Sequence, residues 1–295
     1  MTSKEADSPS PRERLLALFD LEPLGEDCFR GFNAPSGHQR IFGGQVVAQA
    51  LAAAAMTVPP DRPAHSLHAY FLLAGDPAAP IDFEVERLHD GRSFSTRRSA
   101  AKQGGRTILI LAASFQIVEP GFDHQPEAPQ VEAPETLPTT GALAERFRSF
   151  LPRAARESLA QAFALDIRLV DPSSVIGGEK AGARRQHFWF RIIGPLPDDD
   201  RVHRLLLAYL SDMTLLSTAL AAHGRTVFDA DLHVASLDHA LWLHRPFRAD
   251  EWLLFAQQSP SAAGARGFAR GEVYARDGRL VASVAQEGLI RQKRP

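Results

Sequence analysis

The feature of this chain that most restricts its fold is an internal repeat. Phe42–Met56, FGGQVVAQALAAAAM, reads as a helix entered through two glycines, its alanine-rich faces suited to close packing on a sheet. Runs with β character follow at Ser66–Leu72, Ile81–Arg87, Ser93–Ala101 and Thr107–Val118, punctuated by turns at Gly91 and Gly104-Gly105. The order then recurs. The apolar stretch His203–Gly224 has room for about five turns of helix, and strand-like runs follow at Ala235–Leu243, Trp252–Gln257, Gly267–Ala275 and Leu280–Ile290. Ser66-Leu67 matches Ser236-Leu237, Gln116 matches Gln286 and Phe42 matches Asp212, all at an offset of 170 (236 − 66). The register slips in the hairpins between, where Gly104-Gly105 and Asp277-Gly278 are equivalent. Two copies are too few for a solenoid. They predict two fused units of α+β class, each a long helix wrapped by a curved antiparallel sheet.

The remaining segments set the expected organisation. Met1–Arg14 is polar and proline-bearing and reads as a disordered tail, followed by a short helix at Arg14–Asp20. Pro120–Thr140 is rich in Pro, Glu and Thr and has no usable period, so it is a linker or surface loop. Ala142–Ala164 is an amphipathic helical region broken near Pro152, and Ile167–Val170 and His187–Ile193 read as strands. The expected division is a tail over 1–14, a first unit over 15–119, a linker and helical region over 120–165, and a second unit over 166–295.

Composition excludes several function classes. A net charge of −2 offers no general attraction for nucleic acid or an anionic membrane surface. The single cysteine, Cys28, rules out an internal disulfide and a thiolate-rich zinc site, and as a lone thiol it reads as a half-buried bystander. No signal peptide, terminal address or apolar run of membrane-spanning length is recognisable, so the default location is the cytoplasm and no membrane span is expected.

Apolar side chains cover every face of His203–Gly224, which predicts a helix wrapped by protein. Asp212 sits in its middle beside Leu210, Met213, Leu215 and Leu216, where a carboxylate is costly unless something stabilises it. Taken alone, Ser211-Asp212 reads as the cap of a break between two shorter helices. The repeat adds a second reading. Both copies keep the serine and the glutamine, but only the second has a carboxylate on its helix; the first has Phe42. A structural role common to both halves would not need Asp212, so the chain is expected to carry one competent site, in its second half.

Asp212, Ser236 and Gln286 then converge from three elements and suit hydrolysis by an activated water. Apolar surroundings raise the carboxyl pKa toward that of a useful base, and the hydroxyl and amide both donate and accept, which fixes a water and orients the carboxylate. The turn at Gly43-Gly44 permits close approach of backbone N–H groups to an oxyanion. Histidines are the rival: His65 and His68 flank Ser66, and His239 and His244 lie near Ser236. No serine stands in G-x-S-x-G, and H-E-x-x-H, Walker A and G-x-G-x-x-G patterns are absent from the sequence.

Several longer stretches carry a resemblance. Arg40–Ala50 (RIFGGQVVAQA), His65–Phe71 (HSLHAYF), Asp90–Phe94 (DGRSF), Ala235–Phe247 (ASLDHALWLHRPF), Ala265–Phe268 (ARGF) and Leu280–Gly288 (LVASVAQEG) occur in order and resemble the type II acyl-CoA thioesterase family. The likeness covers Arg14 to Arg291 and is weakest over Pro120–Gln186. It implies a double hotdog fold and a catalytic Asp, Thr or Ser, and Gln, which fall on Asp212, Ser236 and Gln286. It further implies hydrolysis of an acyl-CoA substrate to a free fatty acid and coenzyme A without metal or organic cofactor. Association of double-hotdog protomers into a homo-oligomer, a dimer or tetramer, is part of the same implication. A hydratase or dehydratase relative, which needs an Asp–His pair, and an acyl-CoA binding module are the competing readings. Leu215, Leu216, Phe42 and Trp242 are candidates for the acyl channel or the core. Arg97, Arg98, Lys102, Arg106, Arg266 and Arg270 are candidates for phosphate contacts or solvated strand faces.

Overall fold

A computed structural model of the chain describes residues 9–33, 39–149, 164–172 and 185–293. Its first half contains α1 (Pro11–Ala17), β1 (Glu22–Gly25), β2 (Cys28–Gly31), α2 (Gly43–Met56), β3 (Ala64–Phe71), β4 (Ile81–Asp90), β5 (Phe94–Gln103) and β6 (Arg106–Gln116). After a 3-10 turn at Pro134–Thr136 come α3 (Thr140–Arg146), β7 (Leu165–Leu169), β8 (Arg185–Ile192), α4 (Asp200–Ser211) and α5 (Leu215–Ala221). The chain ends in β9 (Leu232–Ser236), β10 (Asp238–Leu243), β11 (Leu253–Ala263), β12 (Arg266–Ala275) and β13 (Leu280–Gln292).

The thirteen strands among the described residues belong to one antiparallel sheet in the order β1-β2-β4-β5-β6-β3-β10-β13-β12-β11-β8-β7, with β9 also paired to β13. The two halves of this order are the two copies of the repeat. α2 packs across β4, β5 and β6 as α5 packs across β11, β12 and β13, giving two hotdog units joined edge to edge along β3 and β10. At that seam Ala69 pairs with His239, two residues that the repeat makes equivalent (239 − 69 = 170). A pair of equivalent residues facing each other on antiparallel strands is what a local two-fold axis produces.

α2 can lie this close to its sheet because its side chains are small. Val47, Ala48, Ala50, Ala53 and Ala54 have no exposed surface, and β strands meet the helix through Phe83, Leu109, Leu111 and Phe115. The second half carries a further helix on this core. α4 packs against α2, filling the space between the halves with Leu206, Leu207 and Ala208, all fully buried.

Several expectations need correcting. His203–Gly224 is two helices, α4 and α5, because the chain breaks at Asp212, the C-cap of α4, and restarts from Thr214. Counted across that break, Asp200–Ala221 is long and apolar enough by length and composition to cross a membrane, but 67% of its apolar window is buried in the protein. The expected tail over 1–14 overlaps α1, whose start is fixed by Ser10 and Glu13 exchanging side-chain and backbone hydrogen bonds in a capping box. Ala235–Leu243 is two strands, β9 and β10, divided at Leu237, whose N–H donates to the Glu287 carbonyl. The hairpin β1–β2 has no counterpart in the sequence reading. Of the helical region at Ala142–Ala164, α3 covers the start, and residues 150–163, with Pro152, lie outside the described set.

The stretch from Pro120 to Thr140 is a strap laid on the second half. The Trp189 indole donates to the Glu132 carbonyl at 2.9 Å, Gln125 bonds Gly278 and Leu280, and Leu137 joins a cluster with Trp189, Trp252 and Leu254.

Candidate active site

The break between α4 and α5 places Asp212 among three elements. Its Oδ1 accepts from Gln286 Nε2 at 2.5 Å and from the Ser236 hydroxyl at 3.3 Å. Gln286 comes from the middle of β13 and Ser236 from the end of β9, adjacent strands that hold the two side chains on one side of the carboxylate. The structure therefore brings all three sequence-predicted residues together. Asp212 and Gln286 are buried and Ser236 is half-buried.

The other side of the carboxylate is supplied by the first half. α2 starts at Gly43 with no side-chain cap, and the backbone N–H of Gly44 helps to lower the pKa of Asp212. Its first turn thus presents backbone donors and the positive end of the helix to an anion. Glycine is required by the approach. A Cβ on Gly43 would stand 2.6 Å from Asp212 Oδ2, and one on Gly44 would meet the Tyr209 carbonyl and lie 2.5 Å from the Phe42 ring.

Burial dominates the electrostatics. Removing the Asp212 carboxylate from water pushes its pKa up from 3.8 to about 7, against the lowering effect of the hydrogen bonds from Gln286 and Ser236 and of the Gly44 N–H. A carboxyl group in this state exchanges a proton readily near neutrality. Gln286 Oε1 is buried and has no hydrogen-bond donor among the described residues, so the amide that donates to Asp212 keeps an acceptor for a second partner. The equivalent positions of the first half form no such group: the Phe42 ring lies edge-on to Tyr209 at 5.0 Å, and the Gln116 amide donates to Glu119.

Three of the four histidines find other serines, and the His68 ring lies edge-on to Trp242. His239 pairs with Ser211 at 2.8 Å, His65 with Ser114 at 2.8 Å and His244 with Ser283 at 2.9 Å. None of these contacts includes Ser66 or Ser236. Burial lowers the His239 pKa to about 4, so its ring is neutral at physiological pH. The Ser211–His239 contact anchors the residue beside Asp212 and was not distinguishable in sequence, because 28 positions separate the partners.

Arg97 is not a phosphate ligand. It is 1% exposed and donates to Thr57, to the His89 and Thr96 carbonyls and to Asp90, tying α2 to the β4–β5 turn. Arg98, Lys102 and Arg266 pair with Glu86, Glu84 and Glu287 on neighbouring strands. Leu215 is wholly buried in the core, whereas Leu216 is half-buried and covers Gly288 beside the site. Among the described residues no group of three or more His, Cys, Asp or Glu is placed to hold a metal ion.

Comparison with known proteins agrees with this architecture. Residues 156–289 match the family described as acyl-CoA thioesterase, and residues 33–116 match the acyl-CoA thioesterase N-terminal domain. Acyl-CoA thioesterase 2 of Haemophilus influenzae is 40% identical over 277 residues, covering 94% of this chain and 96% of the relative. Acyl-coenzyme A thioesterase 8 of Homo sapiens is 40% identical over 285 residues, covering 94% and 88%. Among solved structures, acyl-CoA thioesterase II TesB2 from Mycobacterium marinum superposes with a TM-score of 0.77 at 42% identity, over 94% of this chain and 97% of that one.

Proposed function

Because the chain belongs to the acyl-CoA thioesterase family and is a thioester hydrolase, we propose that it cleaves acyl-CoA with a water activated by Asp212, Ser236 and Gln286. The observation that carries this reading is the buried carboxylate with a pKa near 7, bonded by a hydroxyl and by an amide whose own carbonyl has a free acceptor site.

In the proposed step the water sits between the Asp212 carboxylate and the Gln286 carbonyl, with Ser236 orienting it. The carboxylate accepts the water's proton as its oxygen bonds to the thioester carbon. The carbonyl oxygen takes up negative charge, which the first turn of α2 at Gly43-Gly44 is oriented to stabilise. Collapse of the tetrahedral intermediate breaks the C–S bond, and the thiolate of coenzyme A leaves with the proton that Asp212 held. No covalent enzyme intermediate forms. A hydratase or dehydratase has less support, since that chemistry needs a histidine beside the acid and the buried histidine that reaches the end of α4, His239, is engaged with Ser211.

Release of free thiol from a panel of acyl-CoAs tests the scheme with Asp212→Asn, which keeps size and removes the base. Loss of general-base catalysis lowers turnover by about two to four powers of ten. Unchanged turnover in a folded variant refutes Asp212 as the base, and a hydroxyacyl or enoyl thioester as product refutes hydrolysis.

A further inference from the structure

An open groove of about 500 Å³ has walls that include Arg40, Val227, Leu232, His233, Val234 and Lys293. We infer that this groove holds the phosphorylated nucleotide end of the coenzyme A thioester. The inference rests on the thioesterase reading for the identity of the ligand and on the groove itself for the residues.

Connectivity points from the groove to the chemistry. Arg40 stands just ahead of the Gly43-Gly44 turn, and His233 and Val234 lie on β9, the strand that ends at Ser236. A molecule reacting at Asp212 therefore reaches the groove by following either wall outward. Among the described residues β9 pairs only with β13, so its other edge leaves backbone N–H and C=O groups for the two amides of a pantetheine arm.

The charge is of the right sign and is available. Arg40 has no hydrogen bond or ion pair among the described residues. The Lys293 ammonium donates to the Ala230 carbonyl at 2.7 Å and makes no direct ion pair among the described residues, although, after the Arg225 hydrogen bond, its charge helps to hold the Asp231 carboxyl below its ordinary range. The carboxylates nearest on that loop, Asp229 and Asp231, are both taken by Arg225. By contrast, Arg98 and Arg266 on the hairpin strands are paired with Glu86 and Glu287. In a chain with net charge −2, two cations without direct ion pairs among the described residues and an exposed histidine around one groove suit a polyanion. Val227, 39% exposed, and the neighbouring Leu232 and Val234 give an apolar surface on which a purine ring can rest. The volume is within the range of small-molecule and cofactor sites.

The experiment uses the full chain and two ligands. Calorimetry with coenzyme A itself measures the groove without chemistry, and kinetics compare one acyl group carried on coenzyme A and on N-acetylcysteamine, which ends before the phosphates. In Arg40→Ala/Lys293→Ala, loss of two charge-assisted contacts weakens coenzyme A binding and raises KM for the acyl-CoA by about tenfold. The ratio of kcat/KM for the acyl-CoA to that for the short thioester falls by the same factor, and the variant loses the increase of KM with salt that the natural protein shows. Arg40→Lys/Lys293→Arg keeps the affinity. Where the alanine pair fails to fold, the single Arg40→Gln and Lys293→Gln variants take its place. Unchanged coenzyme A affinity, or an equal loss on both thioesters, overturns the assignment. Failure of the natural protein to release thiol from any acyl-CoA would overturn the thioesterase reading alone, because the calorimetric result stands apart from turnover.

Discussion

The raised pKa of Asp212 makes stability itself depend on pH in a direction opposite to that of an ordinary surface carboxylate. The group titrates at 3.8 in the unfolded chain and at about 7 in the folded one. A folded-state pKa above the unfolded value means that the native protein holds the proton more tightly. The associated stabilisation is complete below pH 3.8 and is lost as pH rises through about 7. At 1.36 kcal/mol per unit the full shift is worth about 4 kcal/mol, and the part lost between pH 5.5 and pH 8 is about 2 kcal/mol. Asp212→Asn cannot titrate and does not suffer this loss. An unfolding entropy of about 2.1 cal/mol/K per residue over this chain converts 2 kcal/mol into about 3 °C. The melting temperature of Asp212→Asn minus that of the natural protein should therefore increase by about 3 °C from pH 5.5 to pH 8, measured by calorimetry or circular dichroism. Any fixed cost of the amide cancels in this difference, as does the titration of His239, common to both proteins. The same ionisation should appear in the kinetics as a rise of kcat/KM through pH 7. A melting difference that is independent of pH would refute a neutral, buried Asp212 and with it the origin of its basicity.

Two further substitutions separate support of the site from support of the fold. Gly44→Ala drives a methyl group into the Tyr209 carbonyl and the Phe42 ring. It should cost about 1–3 kcal/mol in chemical denaturation by overpacking, and lower turnover at least tenfold by moving α2 away from Asp212. Arg97→Met leaves the His89 and Thr57 carbonyls without their buried donor and should cost about 3 kcal/mol, while KM for acyl-CoA, measured below the lowered melting point, stays within twofold.

The repeat was legible because both copies keep Ser-Leu at the first long strand and Gln near the last, and the pairing of Ala69 with His239 follows from the same register. The break at Asp212 was legible only as one of two readings. Leucines on every side of His203–Gly224 are compatible with one helix, and what interrupts it is tertiary: the carboxylate is drawn to Gln286 and Ser236. Both readings turn out to describe the same residue, since the cap of α4 is the acid of the site. The β1–β2 hairpin was invisible because all four residues of β1 are exposed and no alternation marks the strand. Arg97 misled for a related reason. The inward face of β5 runs Ser95, Arg97, Ser99, Ala101, all buried, so its polar pattern imitates a solvated face. The sequence placed the three catalytic candidates in the second half and offered the Gly43-Gly44 turn for the oxyanion; what it did not show is that these two glycines of the first half also close around Asp212 itself.

The seam between β3 and β10 has a consequence for biosynthesis. β3 ends at Phe71 and its partner begins at Asp238, so 167 residues (238 − 71) must be added after the first strand emerges before its open edge is covered. At about 5–20 residues per second a ribosome takes on the order of 8–33 s to do so. During that interval the nascent chain presents a ready template for strand addition by another chain. The last strand, β13, then inserts between β10 and β12 and delivers Gln286. Acquisition of activity and closure of the adhesive edge are thus late events in the same synthesis, and a chain interrupted before residue 238 has neither.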